Sequence, residues 1–296
     1  MTASTLGSRT SQEIETQPDC WTRAQEVAAA QPGLPQSGER VLVLGCGTSY
    51  YIAQAYAALR EQAGHGETDA LVASELPERR RRYDRIVAIS RSGTSAEVVE
   101  ALRRVQGEAK LTSLVGVTSS PVADLTDQVV DLSFADEQSV VQTRFATTGL
   151  ATLRAGLGED LSAAVADGRR ALAEPIPAVP TRQLVVLATG WASNLAQEAA
   201  LKCREAAAAW VEAYPSGEYR HGPIAVADAE TLVWALTPLN DKQRDAVLAT
   251  GAGLEQGQLD PMAELVRLQR LAVAWAAARG RDADTPVNLT RSVTDV

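Results

Sequence analysis

Glu198, Lys202 and Glu205 are spaced by four and three residues in an alanine-rich stretch, EAALKCREAAAA, that reads as a helix. The spacing sets two carboxylates and an amine on one side of it. Sixteen residues beyond Glu205 stands His221, one of two histidines in the chain, in the turn YPSGEYRHGP. A carboxylate that can take and return a proton, an ammonium that can neutralise charge beside it and an imidazole that can give or accept a proton are parts of an acid–base site. The same spacing also suits a solvated salt-bridge stripe worth only about 0.2–0.5 kcal/mol per pair. Two features favour the site. Lysine occurs only at 110, 202 and 242 in a chain that otherwise uses arginine, so position 202 calls for a compact ammonium rather than a planar fork. The two prolines and two glycines around His221 fix a loop, and loops on rigid scaffolds often carry chemistry.

The elements that must hold these groups are legible as strand, turn and helix units. Val41–Leu44 is a continuous apolar run, as in a parallel strand buried on both faces. Gly45 and Gly47 turn the chain, and Thr48 and Ser49 open a helix. The device recurs at RIVAIS-RSGTS, where Ser90, Ser92, Gly93, Thr94 and Ser95 lie at the junction. Hydroxyl-rich turns beyond the carboxyl ends of two strands suit an anion, because free N–H groups and the helix dipole point outward together. Ser and Thr also serve as plain helix caps, so each turn by itself is weak evidence. Neither turn is a dinucleotide fingerprint or a P-loop: the third glycine and the lysine are missing.

Further strands are expected at 111–117, 129–132, 183–188 and 231–236, and helices at 12–30, within 136–160, at 241–257 and at 260–279. Residues 1–12 should fray. QPGLPQSG (31–38) and AEPIPAVPT (173–181) read as linkers. The organisation expected is an N-terminal tail, helix and linker over 1–38, a first α/β subdomain over 39–172 and a second over 180–296. The strand, glycine turn and helix pattern of 183–198 repeats that of the first half, as a duplicated topology would. Arg79–Arg82 reads as a solvated face and His65 as a surface turn residue.

The 296 residues carry a net charge of −9, which argues against nucleic acid or an anionic membrane as partner. No apolar run is long enough to cross a bilayer, and the N-terminus lacks a signal-peptide pattern. Cys20, Cys46 and Cys203 have no metal-ligand spacing, and so sparse and odd a number fits a reducing cytoplasm.

Taken in order, these motifs resemble the sugar isomerase (SIS) domain family, and most closely the isomerase half of glucosamine-6-phosphate synthase and its deaminase relatives. LGCGTSYYIA is similar to the family's first phosphosugar turn and ISRSGTSAEVVEAL to its second. VVQTRFATT resembles the segment after the first half's last strand, LKCRE…VEAYPSGEYRHGP the catalytic helix and loop, and PVNLTRSVTDV the closing tail. The resemblance runs nearly end to end. It implies two flavodoxin-like α/β subdomains with parallel sheets flanked by helices, the second with fewer strands, assembled as a homodimer. The small-molecule partner implied is a sugar phosphate, with no cofactor and no metal.

The resemblance also implies roles. Ser49, Ser90, Ser92 and Ser95, with Gly47, Thr48, Arg91 and Thr94, would hold the sugar phosphate. Glu205 would shuttle a proton between C1 and C2, Lys202 would hold the sugar and neutralise charge, and Glu198 would sit beside them. His221, reaching into the partner subunit's site, would assist ring opening, and Val140, Thr290 and Arg291 would line the pocket. Arg291 stands where the synthase has the lysine that forms a Schiff base, and a guanidinium cannot form that imine. Arg91 stands at a glutamine-like position. No glutamine-hydrolysing domain is expected, since the sequence has neither an N-terminal cysteine nor room for one. The activity implied is isomerisation or deamination of an amino-sugar phosphate; the alternative is a non-catalytic phosphosugar sensor.

Overall fold

The computed structural model describes residues 6–31, 33–179 and 182–294. Parts of the expected frayed N-terminus, of both linkers (Pro32, Pro180 and Thr181) and of the closing tail lie outside them. In chain order the elements are α1 (Ser8–Glu15), α2 (Gln17–Ala30), β1 (Val41–Gly45), α3 (Thr48–Gln62), β2 (Thr68–Val72), β3 (Arg85–Ser90) and α4 (Ala96–Val105). There follow β4 (Lys110–Val115), α5 (Pro121–Asp124), β5 (Gln128–Asp131), α6 (Arg144–Gly156), α7 (Ser162–Ala173) and β6 (Gln183–Ala188). The last are α8 (Ala192–Ala207), β7 (Val211–Pro215), β8 (Thr231–Ala235), α9 (Asp241–Leu248), β9 (Gly253–Gln256) and α10 (Pro261–Ala278).

Two compact units result. One comprises Thr16–Gln138, Arg144–Ser162 and Thr290–Val296; the other comprises Met1–Glu15, Ser139–Thr143 and Ala163–Leu289. The first contains a five-stranded sheet in the order β2-β1-β3-β4-β5 and the second a four-stranded sheet in the order β7-β6-β8-β9. Every pairing is parallel. Two parallel α/β sheets, the second with fewer strands, are the fold class expected from the sequence.

The five-stranded sheet is buried on both faces at its centre, which is why β1 and β3 are nearly all apolar. Leu42, Leu44, Ile86 and Ala88 meet Val98, Leu102 and Val105 of α4 in one core cluster. Within the same unit α2 packs on α6. Fully buried Trp21 donates its indole N–H to Thr147 Oγ1 at 2.9 Å, and that hydroxyl donates to Gln17 Oε1 at 2.7 Å. The four-stranded sheet is backed by α8 and α10, which lie against each other. There Trp234 is fully buried, and Arg267 lies over its ring while bridging Glu264 at 3.1 Å and Glu255 at 2.6 Å.

Three elements depart from expectation. The helix expected at 12–30 is two helices, because Pro18 in the first turn of α2 has no N–H to continue the ladder of α1. Residues 8–12 are helical rather than frayed. Asp284 accepts the backbone N–H groups of Arg9 and Thr10 at 3.1 and 2.8 Å, and Asp282 that of Gly7 at 2.8 Å, which satisfies the orphan donors of α1. The helix expected over 241–257 stops at Leu248, since Gly251 takes φ +83° and the chain then enters β9.

At the start of β3, Arg85 grips Glu39 with two N–H groups at 2.8 and 3.0 Å. Burial pushes the Glu39 carboxyl up, but this fork, the Gln36 N–H and the Lys110 charge together more than offset it and leave the group below its usual value of 4.5. A carboxylate depressed by folding adds stability that is complete above the usual value and is lost as pH falls through the folded one. The stability gap between wild type and Glu39→Gln should therefore stay constant above pH 4.5 and close below it. Urea midpoints between pH 7 and pH 3 read this; a gap that stays open in acid would contradict it.

Candidate active site

The two hydroxyl turns lie side by side at the carboxyl ends of β1 and β3, which pair in register from Val41↔Arg85 to Leu44↔Ala88. The first turn depends on two glycines. A Cβ at Gly45 would lie 2.6 Å from the backbone of Ser49, and Gly47 adopts φ +54° just before α3. Thr48 and Ser49 in the first turn of α3 are buried. In the second turn Ser90 Oγ accepts the N–H of Gly93 at 3.1 Å and lies 3.5 Å from Ser95 Oγ. Ser92 Oγ accepts from Thr94 N and Thr94 Oγ1 at 3.2 and 2.9 Å. Gly93 is obligatory, since its φ is +65° and a Cβ would fall 2.0 Å from Ser120 Oγ.

The closing segment of the chain lies over this second turn. Ser92 Oγ donates to Ser292 Oγ at 3.1 Å, and Thr94 Oγ1 and Ser292 Oγ are 2.8 Å apart. The N–H of Ala96, first residue of α4, donates to the Val293 carbonyl at 3.1 Å. Buried Arg91 donates to the Arg291 carbonyl at 2.6 Å. The Arg291 guanidinium is not aimed at the hydroxyls; it binds both oxygens of Asp136 at 2.7 Å. Thr290 is exposed, with Oγ1 donating to the Ser292 carbonyl at 3.0 Å. A cavity of about 620 Å³ lies beside the turn, lined by Thr94, Glu97, Glu100, Arg103 and Thr294 among others.

The unit with the four-stranded sheet holds Glu198, Lys202 and Glu205. Lys202 is only 1% exposed, and its Nζ lies 3.4 Å from Glu198 Oε1 and 2.5 Å from Glu205 Oε2. Glu198 is fully buried, whereas the Glu205 side chain keeps 19% of its surface. A solvated stripe would leave all three side chains wet; here the amine and one carboxylate are dry and the second carboxylate is the one left facing out. Glu205 opens on a cleft of about 410 Å³ that is also lined by Arg204, Arg279, Arg281 and Asp282. α8 ends at Ala207, and Ala208, at φ +48°, turns the chain into β7.

The loop after β7 is anchored at Ser216, whose N–H donates to the Ala188 carbonyl at 2.8 Å, and at Tyr219, buried against Tyr214. His221 itself is exposed, next to Gly222 at φ +145°. Val140 belongs to the same unit and is half-buried. The expected site residues thus fall into two sets: Gly47, Thr48, Ser49, Ser90, Arg91, Ser92, Thr94, Ser95, Thr290 and Arg291 in one unit, and Val140, Glu198, Lys202, Glu205 and His221 in the other. Asp136 and Ser292 were missed. Ser292 lies in the tail that the sequence marks, but nothing marks Asp136, 155 residues from its partner.

Among the described residues, no three His, Cys, Asp or Glu side chains are grouped as a metal site would need. No helix among them is long and apolar enough to cross a membrane. Burial pushes the thiol of Cys203, next to Lys202 on α8, up to about 12, and raises those of Cys20 and Cys46 as well, with Glu97 adding to the effect at Cys46. Scarce thiolate makes all three poor nucleophiles. With Ellman's reagent at pH 8, half-buried Cys46 should react first, and Cys203 only after urea unfolding. Prompt labelling of Cys203 in the native protein would contradict its burial.

Residues 34–155, which carry the five-stranded parallel sheet and both hydroxyl turns, match the family model of the SIS domain. Two curated relatives are named glutamine–fructose-6-phosphate aminotransferase (isomerizing). That of Sulfurisphaera tokodaii is 26% identical over 88% of this chain and 50% of its own length, and that of Xylella fastidiosa 27% identical over 95% and 58%. The chain spans about half the length of these relatives. The crystal structure of glucosamine-6-phosphate deaminase from Thermotoga maritima shares the fold, with a TM-score of 0.84 at 24% identity, covering 97% of this chain and 99% of that one.

Proposed function

We propose that the protein is a phosphosugar isomerase or deaminase acting on an amino-sugar 6-phosphate in the cytoplasm. The observation that carries this reading is the buried Lys202 between Glu198 and partly exposed Glu205. Ionic groups on a dry helix face cost desolvation, which chemistry justifies better than stability does. The names of the curated relatives and of the deaminase that shares the fold support a sugar-phosphate substrate.

In this reading the hydroxyls of Ser49, Ser90, Ser92 and Ser95 and the amino ends of α3 and α4 hold the phosphate. That remote binding fixes the position of C1 and C2. Ring opening exposes an aldehyde at C1, with His221 of a second copy as the acid–base group, which makes the working unit a homodimer. Glu205 takes the C2 proton and returns it to C1. Where C2 carries an amine, this leaves a ketimine, and water hydrolyses it to the ketose 6-phosphate and ammonia. The nitrogen is the substrate's own, which suits a chain whose Arg291 cannot supply an imine.

The test is a panel of hexosamine 6-phosphates and ketohexose 6-phosphates assayed for ammonia release and for aldose–ketose exchange, with calorimetry alongside. Turnover by wild type and not by Glu205→Gln supports the enzyme. Tight binding with no turnover by either protein would favour a sugar-phosphate sensor.

A further inference from the structure

Arg91 and Arg291 lie 200 residues apart in sequence, and the structure joins them. Arg91 holds the Arg291 carbonyl at 2.6 Å, while the Arg291 side chain holds Asp136 through two oxygens at 2.7 Å and donates from Nε to the Glu137 carbonyl at 3.2 Å. Asp136 is itself fixed, because Arg144 donates to its backbone carbonyl from Nε at 3.1 Å and also from Nη2. A bidentate guanidinium–carboxylate pair is directional as well as strong. Its position decides where the next two residues fall: Ser292 on the hydroxyls of Ser92 and Thr94, and the Val293 carbonyl on the N–H of Ala96.

These contacts occupy two of the donors that an anion at this turn would use. The Ser92 hydroxyl proton points to Ser292, and the amino end of α4 is capped by a carbonyl from the tail. We infer that residues 290–294 are a strap latched by Arg291 on Asp136, and that strap and anion compete for the second hydroxyl turn. This rests on the phosphate role proposed above for that turn. Asp136 and Arg291 are then positioning residues. Their pair sets how much of the seat is open to a phosphate before any chemistry begins. The pair is 42% and 30% exposed, so it is a latch that can open rather than a fixed strut.

The Arg291–Ser292 bond is itself the probe, since trypsin cuts after arginine and needs the segment undocked. Native protein is treated briefly with trypsin, and loss of the terminal SVTDV peptide is followed by mass spectrometry. Cleavage after exposed Arg82 serves as the internal reference. Asp136→Asn and Arg291→Lys, the latter still a trypsin site but without the fork, should each speed this cleavage by about three- to tenfold, as expected for a partly exposed pair. Inorganic phosphate should speed it in wild type, and Asp136→Asn should bind phosphate severalfold more tightly by calorimetry.

Cleavage in Asp136→Asn no faster than in wild type overturns the latch. Phosphate that slows cleavage in wild type overturns the competition, because the anion would then sit beneath a closed strap. If wild type binds no phosphate at all, the phosphate role of the turn fails, and the cleavage rates of the variants still decide the latch.

Discussion

Glu205→Gln should lower turnover of the preferred sugar phosphate by about 10²–10⁴-fold, the usual worth of a positioned acid–base group. The amide keeps the shape of the carboxylate and can still accept the Lys202 ammonium proton across the present 2.5 Å contact, but it cannot carry a proton between two carbons. Binding should change little, because the phosphate contacts proposed for the serine turns are untouched. The loss should therefore appear in kcat and not in KM. Release of the C2 proton to solvent, read as deuterium exchange in heavy water, should fall with kcat. A variant that keeps wild-type turnover would remove Glu205 from the chemistry.

Lys202→Met should destabilise the unit that contains the four-stranded sheet by about 3–5 kcal/mol, the cost of breaking a buried ion pair from one side. The thioether fills the volume of the lysine stem, so the loss is electrostatic rather than a cavity. Glu198, fully buried and now 3.4 Å from where the ammonium stood, loses a charged neighbour that solvent cannot replace. Glu205 keeps its exposed flank and should suffer less. Urea unfolding followed by the fluorescence of buried Trp234, in that unit, reads the change. The double variant Glu198→Gln/Lys202→Met should recover much of the loss, because an amide in place of the carboxylate takes away the charge that the Lys202 ammonium had faced. No recovery would mean that Lys202 acts mainly on other groups.

The strands at the centre of each sheet were legible because continuous apolar runs such as VLVLG and RIVAIS have few other uses. Of the four edge strands, β5 was legible and β2, β7 and β9 were not. β2 carries Asp69, which interrupts the apolar pattern and is explained only by Tyr83, whose hydroxyl donates to it at 2.6 Å. β7 ends on Pro215, which reads as loop until it is placed at the end of an edge strand, where a proline costs little. β9 is four partly exposed residues between Gly251 and Gly257, too short for any periodicity.

The cluster of Glu198, Lys202 and Glu205 was legible as a face of α8, because helical spacing is a local rule. Its burial was not, since that depends on what α10 and the sheet bring to α8. The tail was legible as a motif and the hydroxyl turn as another. Their mutual hydrogen bonds, and Asp136 as anchor, were not, because no local signal relates residue 136 to residue 291.

The clasp between Gly7–Thr10 and Asp282–Asp284 bears on the order in which the chain can assemble. Its partners are 275 residues apart in sequence. At about 5–20 residues per second, a ribosome delivers Asp282 some tens of seconds after Gly7. Until then the first turn of α1 has no carboxylates to receive its amides, and α1 is too short to persist in isolation. The five-stranded sheet, whose strands all lie between Val41 and Asp131, needs nothing made so late. Synthesis alone should therefore separate the two events, with the sheet of residues 41–131 set while the opening helix still waits for a partner near the far end of the chain.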